Sequence, residues 1–428
     1  MKYNFRGKSS GFLYHFGKSL LPWQMCNQFR QLYLNGLDSI PTNTPVLIAA
    51  NHPTAFLDPV LLGVFTQPPL YFMTRGDLFT KPLARKVFES FNMFPVKRSR
   101  DGFNDMDRLD EMTQYVQDSM EARKALCIFV EGMHHYDKRL LPIQKGIARV
   151  AFASYEKHRQ DDLQIIPVGC AYWETDQPRD VAYINVGKPI FVKDYWESYQ
   201  NLPAQATYQL CKDIYEAIKP LCHHVESPED DKLAERLLQL QRSEHPVPHF
   251  PVFRYNTNAF GKEKRVTDWV NNMGDEEKEK LKKKTKKYNN RLKETNISDE
   301  ALLHPEWASI SRWIFIVLCF PLFLAGALAR LPIATLANYM MNNKIRKREF
   351  KSSIYLGVEF FVGFFWLLSL IIAALISGKA LWIGLTLALP LLYWFSIVYK
   401  EVAERAFKAL RALQHPERKS LLHEREKL

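Results

Sequence analysis

The residues best suited to chemistry lie in one short stretch. His52 and Asp58 stand in Asn51-His52-Pro53-Thr54-Ala55-Phe56-Leu57-Asp58-Pro59, directly after the apolar run Val46 to Ala50. Histidine titrates unaided near neutral pH, so His52 suits a base that takes a proton from a hydroxyl. Such a base needs a group on its other ring nitrogen to fix the tautomer, and Asp58 can supply it. Asp58 also has a structural use: an aspartate before Pro59 and the apolar stretch Val60 to Phe65 caps a helix whose first position is proline. A carboxylate has two oxygens, so the two uses are compatible.

Those residues need elements to hold them. The run 46–50 reads as a buried strand, as do Ala125 to Val130, Ile165 to Gly169 and Tyr183 to Val186. Helical stretches fall between, near 59–66, 80–91, 104–123, 145–157 and 203–219. Alternating strands and helices predict an α/β domain over 46–222, a mixed sheet flanked by helices, with the loop after a strand end carrying the site.

The chain has 428 residues, is 47% hydrophobic and 13% aromatic, and carries a net charge of +12. It can bury a core, and its basic balance favours anionic partners. The basic residues cluster beside apolar segments and not among interleaved aromatics, which argues against nucleic acid. The six cysteines show no metal-ligand spacing and read as small buried hydrophobes in a reducing compartment. No metal is expected. Adjacent His134 and His135 would point apart on a strand and read as a polar wall. The N-terminus lacks the pattern of a secretory signal, so the enzymatic part is expected to face the cytosol.

Four regions follow. Residues 1–45 contain a stretch, about 10–36, that suits an amphipathic interfacial helix or a helix packed on the core. Residues 46–222 are the α/β domain. Residues 223–305 read as a charged helical linker, with a proline-rich joint at 246–251 and a lysine-rich helix at 275–294. Residues 306–428 form an α-helical membrane region. Segments 354–376 and 380–399 are long enough to span a bilayer, and Ser377-Gly378-Lys379 joins them as a hairpin. The basic loop 344–351 and the basic tail after Tyr399 should both face the cytosol. A full crossing by 313–341 would put that loop on the side opposite the catalytic domain. This segment is therefore expected to enter and return, turning at Arg330-Leu331-Pro332, or to lie in the interface, with a third crossing as the alternative. Glu359 is left without a role.

The motif stretch resembles the glycerophosphate acyltransferase superfamily, which includes 1-acylglycerol-3-phosphate and glycerol-3-phosphate acyltransferases. The family's first motif is usually His-x-x-x-x-Asp; here five residues separate His52 from Asp58. The longer spacing is similar to a subset that includes fungal glycerol-3-phosphate/dihydroxyacetone-phosphate acyltransferases, which also carry C-terminal membrane segments. Phe91 to Arg98 resembles the second block, and by resemblance Arg98 contacts the acceptor phosphate, with Arg100 close by; a guanidinium fork suits phosphate. Arg75 is a further pocket candidate. Phe129-Val130-Glu131-Gly132-Met133-His134 resembles Phe-Pro-Glu-Gly-Thr, which implies that Glu131 helps hold the acceptor and that Gly132 lets backbone approach it. Lys145 is a possible second phosphate contact. Ile166-Pro167-Val168-Gly169 resembles the fourth block, linked to the acyl-donor side. The resemblance covers roughly 35–200.

The resemblance implies direct transfer of a fatty acyl group from acyl-CoA or acyl-carrier protein to a hydroxyl of glycerol-3-phosphate or its 1-acyl form. No cofactor is expected beyond that donor, and membrane lipids are the expected surroundings. The competing reading is a non-catalytic lipid-binding adaptor on the same fold.

Overall fold

The computed structural model describes residues 11–96 and 105–428. Its centre is a nine-stranded mixed sheet: β1 (Phe29–Asn35), β2 (Val46–Ala50), β3 (Leu70–Arg75), β4 (Met93–Val96), β5 (Ala125–Phe129), β6 (Gln164–Tyr172), β7 (Asp180–Val186), β8 (Ile190–Phe191) and β9 (Phe253–Tyr255). The order is β4-β3-β5-β2-β6-β7-β1-β9, with β8 beside β6. β4, β3, β5, β2 and β6 run parallel, and β7 reverses direction against β6. The carboxyl ends of β2, β3, β4 and β5 therefore share one edge, where open α/β sheets place their sites.

The helices of this body are α1 (Phe12–Gln28), α2 (Leu57–Phe65), α3 (Pro82–Ser90), α4 (Asp105–Glu121), α5 (Gly146–His158), α6 (Trp196–Asn201) and α7 (Pro203–Ile218). Alternation along β2 divides its side chains between two cores. Leu47 and Ala49 pack with residues of α4, α5 and α7. Val46, Ile48 and Ala50 pack with Met25 of α1 and with Leu57, Leu61 and Leu62 of α2.

The sheet runs past both expected boundaries of the α/β domain. Residues 29–35, expected inside an N-terminal helix, form β1 between β7 and β9. The strand is covered on both faces, so it lacks the alternation that marks a half-exposed strand. The helix α1 packs on the core through Tyr14, Gly17 and Met25, which are buried, while Phe12 (79% exposed), Leu13, Phe16 and Trp23 face outward.

Residues 223–305 are not a linker. The proline-rich segment docks, with Val247 and Val252 buried, and Gln31 Nε2 donates to the Pro251 carbonyl at 3.2 Å. Beyond it lie α8 (Asp231–Glu244), α9 (Phe260–Asn272), α10 (Asp275–Thr295) and α11 (Asp299–Leu303). They share a core with the chain's C-terminal end. Leu281, Tyr288 and Leu292 of the lysine-rich α10 pack beside Leu233, Val270, Leu302, Ala412 and Leu421.

Three further helices complete the chain before the short α15 (Arg418–Arg425): α12 (Ile310–Tyr339), α13 (Arg348–Ser377) and α14 (Ala380–Gln414). The three stretches 310–344, 348–377 and 380–414 are long and apolar enough to cross a membrane. They expose side chains such as Val317, Leu318, Phe365 and Ile376, a surface suited to lipid tails and costly in water. The expected hairpin forms, with Gly378 at positive φ ending α13.

The turn expected at 330–332 does not form; α12 is a continuous helix through Pro321 and Pro332. It lies across the hairpin. Its first part meets the end of α14 nearest the catalytic body, where Tyr399 Oη donates to the Ile316 carbonyl at 2.6 Å. A Cβ on Gly326 would meet the Leu392 carbonyl oxygen at 2.1 Å, so glycine permits this close crossing. At the far end, Ala337 and Met341 pack on Tyr355, in the half of α13 nearest the catalytic body. Both ends of α12 thus sit at the same end of the hairpin.

Candidate active site

Asn51 fixes the loop that carries His52. Just beyond the end of β2, its side chain pairs with β6 backbone as a strand would: Nδ2 donates to the Cys170 carbonyl at 3.0 Å, and the Cys170 N–H donates to Oδ1 at 2.7 Å. The chain then turns through His52 into α2.

The ring of His52 stacks on Phe129, with centroids 3.9 Å apart. Its Nδ1 lies 2.8 Å from Asp58 Oδ2. That oxygen also accepts the Thr54 N–H at 2.9 Å, and Thr54 Oγ1 accepts the Asp58 N–H at 3.1 Å. Asp58 therefore orients the histidine and braces the first turn of α2 at once, although the helix begins at Leu57 and Asp58 is not its cap. The other oxygen, Oδ1, accepts from Tyr172 Oη at 2.5 Å. Asp58 is fully buried, and His52 keeps a small exposed area. With Nδ1 turned to the carboxylate, Nε2 is the nitrogen left for a substrate.

Glu131, by resemblance a contact to the acceptor, lies against the loop that carries His52. Its carboxylate is occupied by the chain itself: Oε2 accepts the His52 N–H at 2.8 Å, and Oε1 accepts the Leu141 N–H at 2.7 Å and lies 2.9 Å from His135 Nε2. It holds the backbone under His52. Gly132 follows at φ +73°, a conformation that disfavours a side chain, and an added Cβ would lie 3.2 Å from Gln144. His134 and His135 point apart as expected. His135 meets Glu131, whereas His134 sits edge-on to His52 with centroids 5.7 Å apart. Burial, and then the neighbouring His52, push the His134 imidazole below its ordinary value.

The other expected residues divide. Arg98 and Arg100 lie outside the described residues, and so does the side chain of Arg75. Strands β3 and β4 end at Arg75 and Val96 on the edge that carries His52. Lys145 is exposed at the start of α5. Pro167 is buried within β6, opposite Ala49, between the residues that pair with β8 and those that pair with β7. A residue with no N–H fits there, and its carbonyl accepts from Gly187 at 2.8 Å. The structure accounts for Pro167 as part of the sheet and does not bring it to His52. Burial pushes the Cys127 and Cys170 thiols up, so neither is primed as a nucleophile.

One wall of the site comes from the membrane hairpin, which sequence reasoning did not foresee. The first turn of α13 docks on the catalytic loop: the Ala55 N–H donates to the Glu349 carbonyl at 3.1 Å and the Phe56 N–H to Ser353 Oγ at 3.2 Å. Phe350 meets the rings of both Phe56 and His134. Arg348 binds Asp176 at 2.9 Å and lies over Tyr136.

Residues 31–171 match the family model described as Acyltransferase. Those residues form an acyltransferase domain. Glycerol-3-phosphate O-acyltransferase 2 of Saccharomyces cerevisiae is 28% identical over 144 residues, 32% of this chain and 19% of that one. An uncharacterized acyltransferase of Schizosaccharomyces pombe is 30% identical over 125 residues, 28% of this chain and 18% of that one. Glycerol-3-phosphate O-acyltransferase 1 of Saccharomyces cerevisiae is 33% identical over 75 residues, 17% of this chain and 10% of that one. The matches thus span less than a fifth of those relatives' lengths. The solved 1-acyl-sn-glycerophosphate acyltransferase of Thermotoga maritima aligns with 48% of this chain and 77% of its own, at 17% identity and a TM-score of 0.33.

Proposed function

We propose that this acyltransferase moves a fatty acyl group from an acyl thioester to a hydroxyl of glycerol-3-phosphate or 1-acylglycerol-3-phosphate, at a membrane surface and on its cytosolic side. The observation that carries the reading is the His52–Asp58 pair, with Nε2 left for substrate at the carboxyl edge of the parallel strands. His52 Nε2 takes the acceptor hydroxyl's proton as the oxygen attacks the thioester carbonyl. The new C–O bond forms, the C–S bond breaks, and the proton passes from His52 to the departing thiolate. Holding acceptor and donor against one another supplies much of the rate. The glycerophosphate class is supported by the names of the two Saccharomyces relatives.

Purified protein in lipid, given labelled acyl-CoA or acyl-carrier protein with either acceptor, tests this. We expect thiol release that depends on one of the two acceptors and is lost in His52→Ala. Activity of His52→Ala within about tenfold of the parent would rule out the general base, whose contribution is typically roughly 10²–10⁴. Lipid binding without thiol release would instead mark an adaptor.

A further inference from the structure

Between α1 and the membrane helices lies a cavity of about 200 Å³. Its walls are apolar, with Trp23, Phe364 and Leu367 among them, and one end is polar, formed by Gln24, Asn27 and Glu359. Glu359 is 3% exposed and is already neutralised: Arg330 donates to Oε1 at 2.9 Å and Gln24 Nε2 to Oε2 at 3.2 Å. Asn27 differs. It is 5% exposed, its Nδ2 is spent on Gln24 Oε1 at 3.4 Å, and its Oδ1 has no hydrogen-bond partner among the described residues. A buried amide oxygen left in this state costs free energy that a donated hydrogen bond recovers.

We propose that this cavity binds a single-chain lipid whose neutral headgroup donates a hydroxyl to Asn27 Oδ1, the class of a monoacylglycerol. Three features select that occupant. The walls suit a hydrocarbon chain, and the small volume takes part of one chain and not a two-chain lipid. Trp23 and Phe364, which line the cavity, are partly exposed, so its wall is open there and the rest of the chain can leave toward the bilayer. The carboxylate and guanidinium cancel, so the polar end offers no net positive charge to a phosphate. The site is separate from the chemistry: on α13, Ser353 touches the catalytic loop and Glu359 lies six residues farther along, about 9 Å at 1.5 Å per residue. The proposal rests on the hairpin lying in lipid and does not rest on the acyl-transfer reading.

The full chain in phosphatidylcholine nanodiscs, photolabelled with a monoacylglycerol that carries a diazirine in its chain, tests this. We expect labelling of residues 20–27 and 360–370, competed by unlabelled monoacylglycerol. Gly363 lines the cavity, and a Cβ there meets only Ile333 Cδ1, at 3.7 Å, so Gly363→Leu fills the space and should abolish the label. Asn27→Leu should weaken competition by monoacylglycerol about tenfold, the effect of one lost hydrogen bond, and leave competition by the fatty acid methyl ester unchanged. His52→Ala should label normally, which separates this site from the catalytic reading. Label spread over the lipid-facing residues 314–328, or label unchanged in Gly363→Leu, would overturn the site. Equal competition by 1-acylglycerol phosphate would overturn the neutral headgroup.

Discussion

Tyr172 Oη donates to Asp58 Oδ1 at 2.5 Å, on the carboxylate oxygen opposite the one that holds His52. Tyr172 ends β6, the strand beside β2 in the sheet order, so a neighbouring strand fixes the rotation of the Asp58 carboxylate. Both groups are fully buried, where a charge-assisted hydrogen bond is strong. Tyr172→Phe keeps the packing and removes that restraint. We expect kcat to fall about tenfold, in line with one hydrogen bond to a charged group, with KM for the acceptor little changed. Steady-state kinetics with varied acceptor would show it; an unchanged kcat would remove Tyr172 from the positioning of Asp58.

Glu131 offers a second test, because its carboxylate braces the chain where the resemblance implies a contact with the acceptor. Its two oxygens accept the backbone N–H groups of His52 and Leu141 separately. A glutamine has one accepting oxygen, so Glu131→Gln leaves one of those N–H groups facing an NH2. Leaving a buried donor unsatisfied costs about 1–3 kcal/mol. We therefore expect a lower unfolding temperature and a lower kcat. A selective rise in KM for the acceptor with unchanged stability would restore the substrate-holding role.

Much of this was legible in the sequence. The strands at 46–50, 125–130, 165–169 and 183–186 are continuous apolar runs, and the helices between them are periodic. The site loop stood out because a histidine follows a buried strand and the blocks that resemble a known family come after it in order. The rest was hidden for physical reasons. In β1, Phe29 and Leu32 stand three apart and continue the helical spacing of α1, and burial on both faces removes alternation. β9 is only three residues long. In α10 the lysines obscured Leu281, Tyr288 and Leu292, spaced to form one apolar stripe. Asn51, Tyr172 and Phe350 act through contacts between distant segments, and no local pattern announces those.

Two adjacent buried histidines set a pH dependence of stability. Burial, then Lys138, push the His223 imidazole down from 6.5 to about 4, outweighing its contact with Glu263, whose charge is shared with Arg242. His224 is likewise pushed down to about 4, mainly by burial, and its Nδ1 accepts the Leu140 N–H at 3.1 Å, which requires a neutral nitrogen. Between pH 6.5 and 4 the unfolded chain binds more protons at these sites than the folded one, so stability falls as pH falls through that window and is fully present above it. For His223 the loss is on the order of 3 kcal/mol. Thermal unfolding in detergent at pH 7, 6, 5 and 4.5 should show a falling midpoint, and His223→Gln should flatten part of the fall. An identical slope in the variant would exclude His223 as a source.

The path of α12 decides how the chain meets a membrane. Glu300, just ahead of it, is bound by Arg405 at 2.9 Å, and Arg348, just after it, is bound by Asp176 at 2.9 Å. Asp176 belongs to the body around the sheet, and Arg405 lies on α14 one turn after Glu401, which Arg179 of that body binds at 2.9 Å, so residues 300 and 347 are both tied to the same body. A helix with both ends on one side would lie along the interface or dip into one leaflet, with α13 and α14 crossing and returning. Phe350, within the basic stretch 344–351, packs on Phe56 of the loop that carries His52, and Lys and Arg prefer the cytosolic side of a membrane. Protease-accessible tags inserted at 300 and at 347 should be cut together, from the cytosolic face only, in sealed vesicles. Cleavage of the two tags from opposite faces would require α12 to cross, and would pull Arg348 away from Asp176 and Phe350 away from His134.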